Sequence, residues 1–250
     1  MAPTQQHLEE ISLNAWPALQ TVLYDGWVMR LAKGYTRRAN SVTAVYPGHL
    51  PLAEKIDRVE RLYKQQQLAP VFRLTDESQP AGLDAALTQR GYKQEAPTSV
   101  QYLDLSWSGA MGSERTYILP GRSGLESWLG SFHELNPQRA DWETHQQLLK
   151  LVAGKLCPMV LMVDNAVVAC GLGVLTDTYF GVFDVVVDAA RRQQGYGTEL
   201  VESLLDWGIS SHAHHAYLQV MVENVIAHKL YAKLGFKELY QYWYRVGRRN

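Results

Sequence analysis

The run Arg192-Gln193-Gln194-Gly195-Tyr196-Gly197 constrains this chain more than any other stretch, because it turns a valine-rich segment through two glycines into an amphipathic one. Upstream, Val182-Phe183-Asp184-Val185-Val186-Val187 is β-branched enough to read as a buried strand; downstream, Leu200, Val201, Leu204 and Leu205 recur on one helical face. Glycines let successive backbone N–H groups point into one concavity, and a helix N-terminus adds partial positive charge there. The stretch predicts an anion cradle at Gln193 to Thr198, although an isolated Gly-x-Gly is read equally well as a tight turn that starts a helix.

The next segment decides between these readings. Ala216 to Val222 is an apolar strand, Glu223-Asn224 follows, and a short helix from Ala227 ends at Gly235, a residue suited to the left-handed cap. The chain then leaves as a strand from Phe236 to Val246. Arg-x-x-Gly-x-Gly after a strand, followed by Asn-x-x-Ala-x-x-Leu-Tyr-x-Lys-Leu-Gly-Phe, resembles the acyl-CoA-binding half of the GNAT superfamily of N-acyltransferases. The resemblance is close over residues 180–240 and weaker from residue 115 onward.

Composition excludes several other classes. With 24 Lys+Arg against 25 Asp+Glu, nothing recommends nucleic acid or an anionic membrane as partner. The most apolar stretch, Met159 to Leu175, is broken by Asp164-Asn165 and suits a hairpin better than a membrane span. Gln5 to Glu10 is polar where a secretory signal would be apolar, so the protein is expected to be cytoplasmic. Cys157 and Cys170 read as small buried side chains, and His212, His214 and His215 lack zinc spacing, so no metal is expected.

The first half carries a faded copy of the second. Strands at 27–31 and 41–46, a helix at 52–66, a strand at 70–74, a helix at 83–90 and a strand at 99–105 repeat the order of the C-terminal elements. Leu87-Thr88-Gln89-Arg90-Gly91-Tyr92-Lys93 resembles Tyr231-Ala232-Lys233-Leu234-Gly235-Phe236-Lys237, and Val71 to Leu74 matches Tyr217 to Val220 at nearly the same offset. Where the cradle should recur stands Tyr46-Pro47-Gly48-His49-Leu50-Pro51, whose prolines remove donors, and Ala85-Ala86-Leu87 lacks the tyrosine. The expectation is an α/β (α+β) protein of two tandem GNAT-like domains, each a mixed, mostly antiparallel sheet flanked by helices. Residues 1–112 form a degenerate domain that binds no CoA and shapes the acceptor pocket; residues 113–250 form the catalytic domain. The linker is placed at Ser106 to Ser113, with helices at 125–135 and 142–155, a hairpin at 160–175 and a strand at 179–187 beyond it.

The resemblance implies acetyl-CoA as co-substrate and acetyl transfer to a primary amine of a small molecule, an amino acid among the candidates. Its pantetheine arm would pair with backbone of Val185 and Val187, with Val186 between them. Its pyrophosphate would lie over Arg192, Gln193, Gln194, Gly195, Tyr196, Gly197 and Thr198, the Arg192 side chain having Asp188 and Glu199 as competing partners. Asn224 would hold cofactor or merely cap the last helix, and Tyr231 would protonate the leaving thiolate. Asp184 stands where many relatives have a catalytic glutamate; Glu223 or water are the other candidates for the base. Arg37 and Arg38 suit an acceptor carboxylate or, alternatively, a solvated ion pair. Trp128, Trp142, Tyr240, Tyr242, Trp243 and Tyr244 could line the cleft or fill the core. Competing functions are acetylation of a protein N-terminus or lysine, and non-catalytic acyl-CoA sensing. A tandem pair can replace a dimer internally, which favours a monomer.

Overall fold

A computed structural model describes residues 2–105, 113–139 and 141–249; the expected linker lies almost entirely outside them. After helix α1 (Gln5–Ala15) the first half runs β1 (Gln20–Tyr24), β2 (Trp27–Leu31), β3 (Val42–Thr43), α2 (Leu52–Gln65), β4 (Val71–Thr75), α3 (Leu83–Gln89) and β5 (Lys93–Asp104). The second half adds β6 (Thr116–Ile118), α4 (Gly121–Leu135) and α5 (Trp142–Lys150). It then repeats the series as β7 (Lys155–Val163), β8 (Ala166–Thr176), β9 (Tyr179–Val187), α6 (Tyr196–Ser210), β10 (His215–Met221), α7 (Val225–Lys233) and β11 (Lys237–Val246).

The expected mixed sheets flanked by helices are present, joined into one sheet of order β1-β2-β3-β4-β11-β5-β10-β9-β8-β7-β6. The joining is reciprocal. β5, the last strand of the first half, lies antiparallel between β10 and β11, while β11, the last of the second, lies antiparallel between β4 and β5. Each half therefore lends its final strand to the other. This pairing also explains why β5 starts at Lys93 rather than 99: its early residues meet Val246 and Arg245 of β11. The helix expected over 142–155 stops at Lys150, because Lys155 already pairs with Leu175 in the β7–β8 hairpin. That hairpin turns on Asp164 and Asn165, both at positive φ as a two-residue turn requires.

Three apolar clusters hold the layers. Ile56, Val59 and Tyr63 of α2 and Leu83 and Leu87 of α3 pack on Met29, Phe72 and Leu74. Leu200, Val201 and Leu204 of α6 pack on Phe180, Val182 and Leu218. On the opposite face, α1, α4 and α5 converge through Leu8, Trp16, Trp128, Phe132 and Leu148 on Leu172, Phe183 and Tyr217. Helix α1 also carries Glu9, which forms a buried ion pair with Arg73 of β4 and accepts a hydrogen bond from Tyr240 of β11 at 2.5 Å.

The counterpart of the glycine cradle in the first half is already filled. The turn before α2 directs the N–H groups of His49 and Leu50 at the carboxylate of Asp25, at 2.8 and 3.0 Å, and the buried Lys55 ammonium stands 3.0 Å from it. Gly48 lets this happen, since a Cβ there would sit 2.1 Å from Asp25 Oδ2. The His49 N–H first of all, with Leu50 and Lys55, lowers the Asp25 carboxyl to about 2 against the opposing effect of burial. A depressed carboxyl contributes stability that is complete above its unfolded value near 3.8 and is lost as pH falls through about 2. Asp25→Asn is thus expected to lower the melting temperature at pH 7 and to differ less from wild type as pH approaches 2. Parallel acid titrations check this, and a gap independent of pH would refute it.

Candidate active site

Strands β9 and β10 pair in parallel only from Tyr179–His215 to Val182–Leu218. Beyond that point β9 stays with β8 as far as Val187–Ala169, while β10 stays with β5 as far as Met221–Thr98. The two strands splay and open a cleft of about 1120 Å³. Along its β9 wall, the inner backbone edge of Val185, Val186 and Val187 is unpaired with β10, which suits a ligand that adds as a strand.

The glycine run forms the next wall. Gly195, at φ +86°, adopts the left-handed conformation that introduces α6, and no side chain caps that helix. The bond from Glu199 N to Gly195 O is 3.1 Å, so the N–H groups of Tyr196, Gly197 and Thr198 lie ahead of the helical ladder and remain available to an anion. A Cβ at Gly197 would stand 3.0 Å from Leu230 and 3.4 Å from Val187, so any larger residue would have to push these side chains back where α6 starts beside α7 and β9. Arg192, Gln193, Gly195, Tyr196, Gly197 and Thr198 all line the cleft; Gln194 is exposed and does not. The competing partners of Arg192 are engaged elsewhere, Asp188 with Ala190 N at 2.9 Å and Glu199 with Arg115 at 2.5 Å. Arg192 Nε instead approaches Val187 O at 3.5 Å. Asn224 lines the cleft and also caps α7, its Oδ1 accepting from Ala227 N at 3.1 Å. Tyr231, from α7, reaches the cleft edge-on to Phe236, and burial pushes its phenol up to about 12.

Asp184 occupies a β-bulge where the β8–β9 register slips, and its φ is +47°. The bulge reverses the alternation of the strand. Phe180 and Val182 face the α6 cluster, Phe183 the α5 cluster, and beyond the bulge Val185 and Val187 return to the α6 side with Val186 opposite. Asp184 is thereby turned toward α5, where its Oδ2 lies 3.1 Å from His145 Nε2 and its Oδ1 3.6 Å from Arg139 Nη1. Neither contact has the direction of a hydrogen bond. Burial acts to raise the carboxyl, but contact with His145 and the charges of Arg139 and Arg38 outweigh it and hold Asp184 below the usual carboxylate range. Glu223, the other candidate base, is exposed and does not line the cleft.

The first half and its lent strand close the far end. Tyr35, Thr36, Arg37 and Arg38 enter from the β2–β3 connection, and Tyr242 and Tyr244 from β11. Arg37 pairs with Glu95 at 2.5 Å on the surface. Arg38 stacks over Trp16 and Phe183, at 5.0 and 5.7 Å, and no carboxylate pairs with it among the described residues. Trp128 is core, donating to Met159 O and Gly171 O, while Trp243 donates to Asp84. Trp142, partly exposed, and Tyr240, bonded to Glu9, also lie away from the cleft. Tyr35 belongs to the same stretch as Arg37 and Arg38, whereas sequence reasoning missed Arg139 and His145. A lone histidine among apolar neighbours on α5 reads as core, and only the fold brings it to Asp184. Cys157 and Cys170 are buried as expected, and among the described residues no group of His, Cys, Asp and Glu could hold a metal.

Splayed parallel strands above an uncapped glycine turn, on a mixed sheet of this order, define an N-acetyltransferase of the GNAT superfamily, an enzyme of the acyltransferase class. More narrowly, the chain belongs to the family described as "Probable histone acetyltransferase Rv0428c C-terminal", which matches residues 4–245. It is similar to the uncharacterized N-acetyltransferase YobR of Bacillus subtilis (strain 168), at 27% identity over 96% of this chain and 98% of that one. A GCN5-related N-acetyltransferase from Kribbella flavida shares the fold at a TM-score of 0.73 and 12% identity, covering 99% of this chain and 96% of that one. A tandem GNAT protein from the clavulanic acid biosynthesis pathway shares it at 0.58 and 13% identity, over 76% and 70% of the two chains. Among the described residues no helix is long and apolar enough to cross a membrane.

Proposed function

We propose that the protein transfers the acetyl group of acetyl-CoA to the primary amine of a small molecule that also bears a carboxylate, such as an amino acid. The observation that carries this reading is Arg38, an arginine facing the acceptor end of the cleft without a carboxylate partner among the described residues. Arg binds carboxylate through two parallel hydrogen bonds, and stacking on Trp16 and Phe183 limits the freedom this one has to lose. An amine on the same molecule would then meet Asp184, which feels the charge of Arg38.

The residues present fit acetyl-CoA: an unpaired strand edge, an uncapped helix start and a tyrosine follow one another along a single wall. When bound it supplies an activated acyl group as a thioester. Gly195 to Thr198 and Arg192 would hold its phosphates, Val185 and Val187 its amide arm, and Asn224 and Tyr231 the reactive end. Tyr231 Oη would give a proton to the departing sulfur, and with its phenol near 12 that donor stays loaded throughout the working pH range. Asp184 would take a proton from the incoming ammonium. The first half, its own cradle filled by Asp25, would bind no CoA and serve the acceptor side. One site per chain, in a cytoplasmic monomer of units 1–112 and 113–250, completes the reading.

Tyr231→Phe is expected to bind acetyl-CoA normally yet turn over about 10²-fold more slowly or worse; unchanged kcat would remove the acid role. The function itself is tested by melting the protein with acetyl-CoA and by following CoA release with a panel of amino acids, polyamines and lysine peptides. Release with free amino acids, weakened by Arg38→Gln through KM, supports the proposal. Release only with peptides would shift the acceptor to protein, and neither melting shift nor release would sink the reading.

A further inference from the structure

The acceptor end of the cleft holds more positive charge than its own carboxylates answer. Lys33, Arg37, Arg38 and Arg139 line it together with Asp141 and Asp184. Arg37 is engaged by Glu95 at 2.5 Å, Arg139 faces Asp184 at 3.6 Å, and Asp141 caps α5 by accepting from Thr144 N at 3.0 Å. Lys33 and Arg38 remain. Among the described residues no carboxylate stands within ion-pair reach of either, and the exposed Lys33 ammonium donates to Gln147 Oε1 at 3.3 Å. At the same end, the buried atoms Tyr35 Oη and Arg139 Nη1 make no well-directed hydrogen bond to the protein. Donors left in this way point to a ligand rich in oxygen acceptors.

The loop that carries Lys33 and Arg38 is braced from behind. Lys33 stands at φ +53° and Gly34 at +83°, and a lysine in the left-handed region persists where its surroundings hold it there. The buried Asn40 does so: its Oδ1 accepts from Ala32 N at 2.7 Å and Gly34 N at 2.9 Å, and its Nδ2 donates to Thr36 O at 2.7 Å. The buried Arg30 adds a bond from its Nη1 to Arg38 O at 2.7 Å. Both free cations are therefore offered to the cleft on one fixed frame.

We propose that the acceptor is an amino acid with a second acidic group on its side chain, one anion being held by Arg38 and the other by Lys33. This rests on the acetyl-transfer reading above and narrows it. An ammonium entering this end meets two cations of its own sign, and each anionic group it brings gives one of them a partner. A single carboxylate answers Arg38 and leaves Lys33 unmatched; a second acid, carboxylate or phosphate, completes the set. The same charges work against a lysine-rich peptide, which would bring further positive charge to Lys33 and Arg38.

Pairs of molecules that differ by one acidic group test this. In CoA release from acetyl-CoA at low salt, glutamate, aspartate or phosphoserine should exceed its neutral counterpart, glutamine, asparagine or serine, by about fivefold or more in kcat/KM, through KM. The pair with the larger ratio tells carboxylate from phosphate. Lys33→Gln should remove most of that ratio, and Lys33→Arg should keep it. Without turnover, glutarate should raise the melting temperature more than butyrate, or phosphoserine more than serine, and Lys33→Gln should erase the difference. No acid preferred over its neutral counterpart, or a ratio that survives Lys33→Gln, would overturn the proposal. Should no amine be acetylated, the acetyl-transfer reading falls, and the melting comparison still decides whether a second anion is held.

Discussion

Replacing Asp184 by asparagine is expected to reduce kcat by roughly 10² to 10⁴, the usual worth of a positioned base, while the melting shift produced by acetyl-CoA survives. Asparagine is the informative substitute. It tolerates a positive φ better than most residues, so the bulge at +47° keeps its shape, and it fills nearly the same volume against His145 and Arg139. What it cannot do is take a proton. A variant with wild-type kcat would mean that the amine arrives already neutral or loses its proton to water. A variant that no longer binds cofactor would mean that Asp184 matters for the shape of β9 rather than for chemistry.

The second large effect concerns stability. Glu9→Ala is expected to cost about 3–5 kcal/mol, because it leaves the Arg73 guanidinium buried without its counter-charge. Arg73 is 3% exposed and Glu9 5%, and the guanidinium lies 3.8 Å from the centre of the Tyr242 ring. Desolvation on this scale is tolerated only while both charges face each other. Exchanging both partners together, Glu9→Leu with Arg73→Met, should recover much of the loss, since a packed apolar pair avoids burying either charge. Urea unfolding of the wild type and the two variants measures this. If Glu9→Ala costs under 1 kcal/mol, or the double variant is no better than the single, the pair is not what fastens α1 to the sheet.

The cradle, the valine strand and the last helix were legible in sequence because each is a local pattern: β-branched run, glycine turn, apolar period, cap. The repeat was legible too, since Gly91 and Gly235 both terminate helices in the same setting, each at positive φ. What the sequence did not show depends on partners far along the chain. β5 reads as a strand only from 99, because residues 93–98 become one by meeting β11. Strand exchange leaves no mark on composition, because β5 and β11 would alternate in the same way wherever they paired. The bulge at Asp184 escaped notice for the opposite reason: nothing in Val-Phe-Asp-Val-Val-Val announces that two neighbours will face the same side. His145 needed that bulge before it could be seen as anything but core.

The exchange of final strands sets a timetable for making the protein. β11 is made after every other strand of the described residues, yet it fills the gap between β4 and β5, elements translated long before. Until then the first half has two unsatisfied strand edges, and the wall of the cleft that holds Tyr242 and Tyr244 does not exist. The first half therefore cannot complete its sheet until β11 has been made. Such long-range pairing is slow and leaves edges open to aggregation meanwhile. A chain cut short before β11 leaves β4 and β5, in the half the cut never touched, without the strand that joins them.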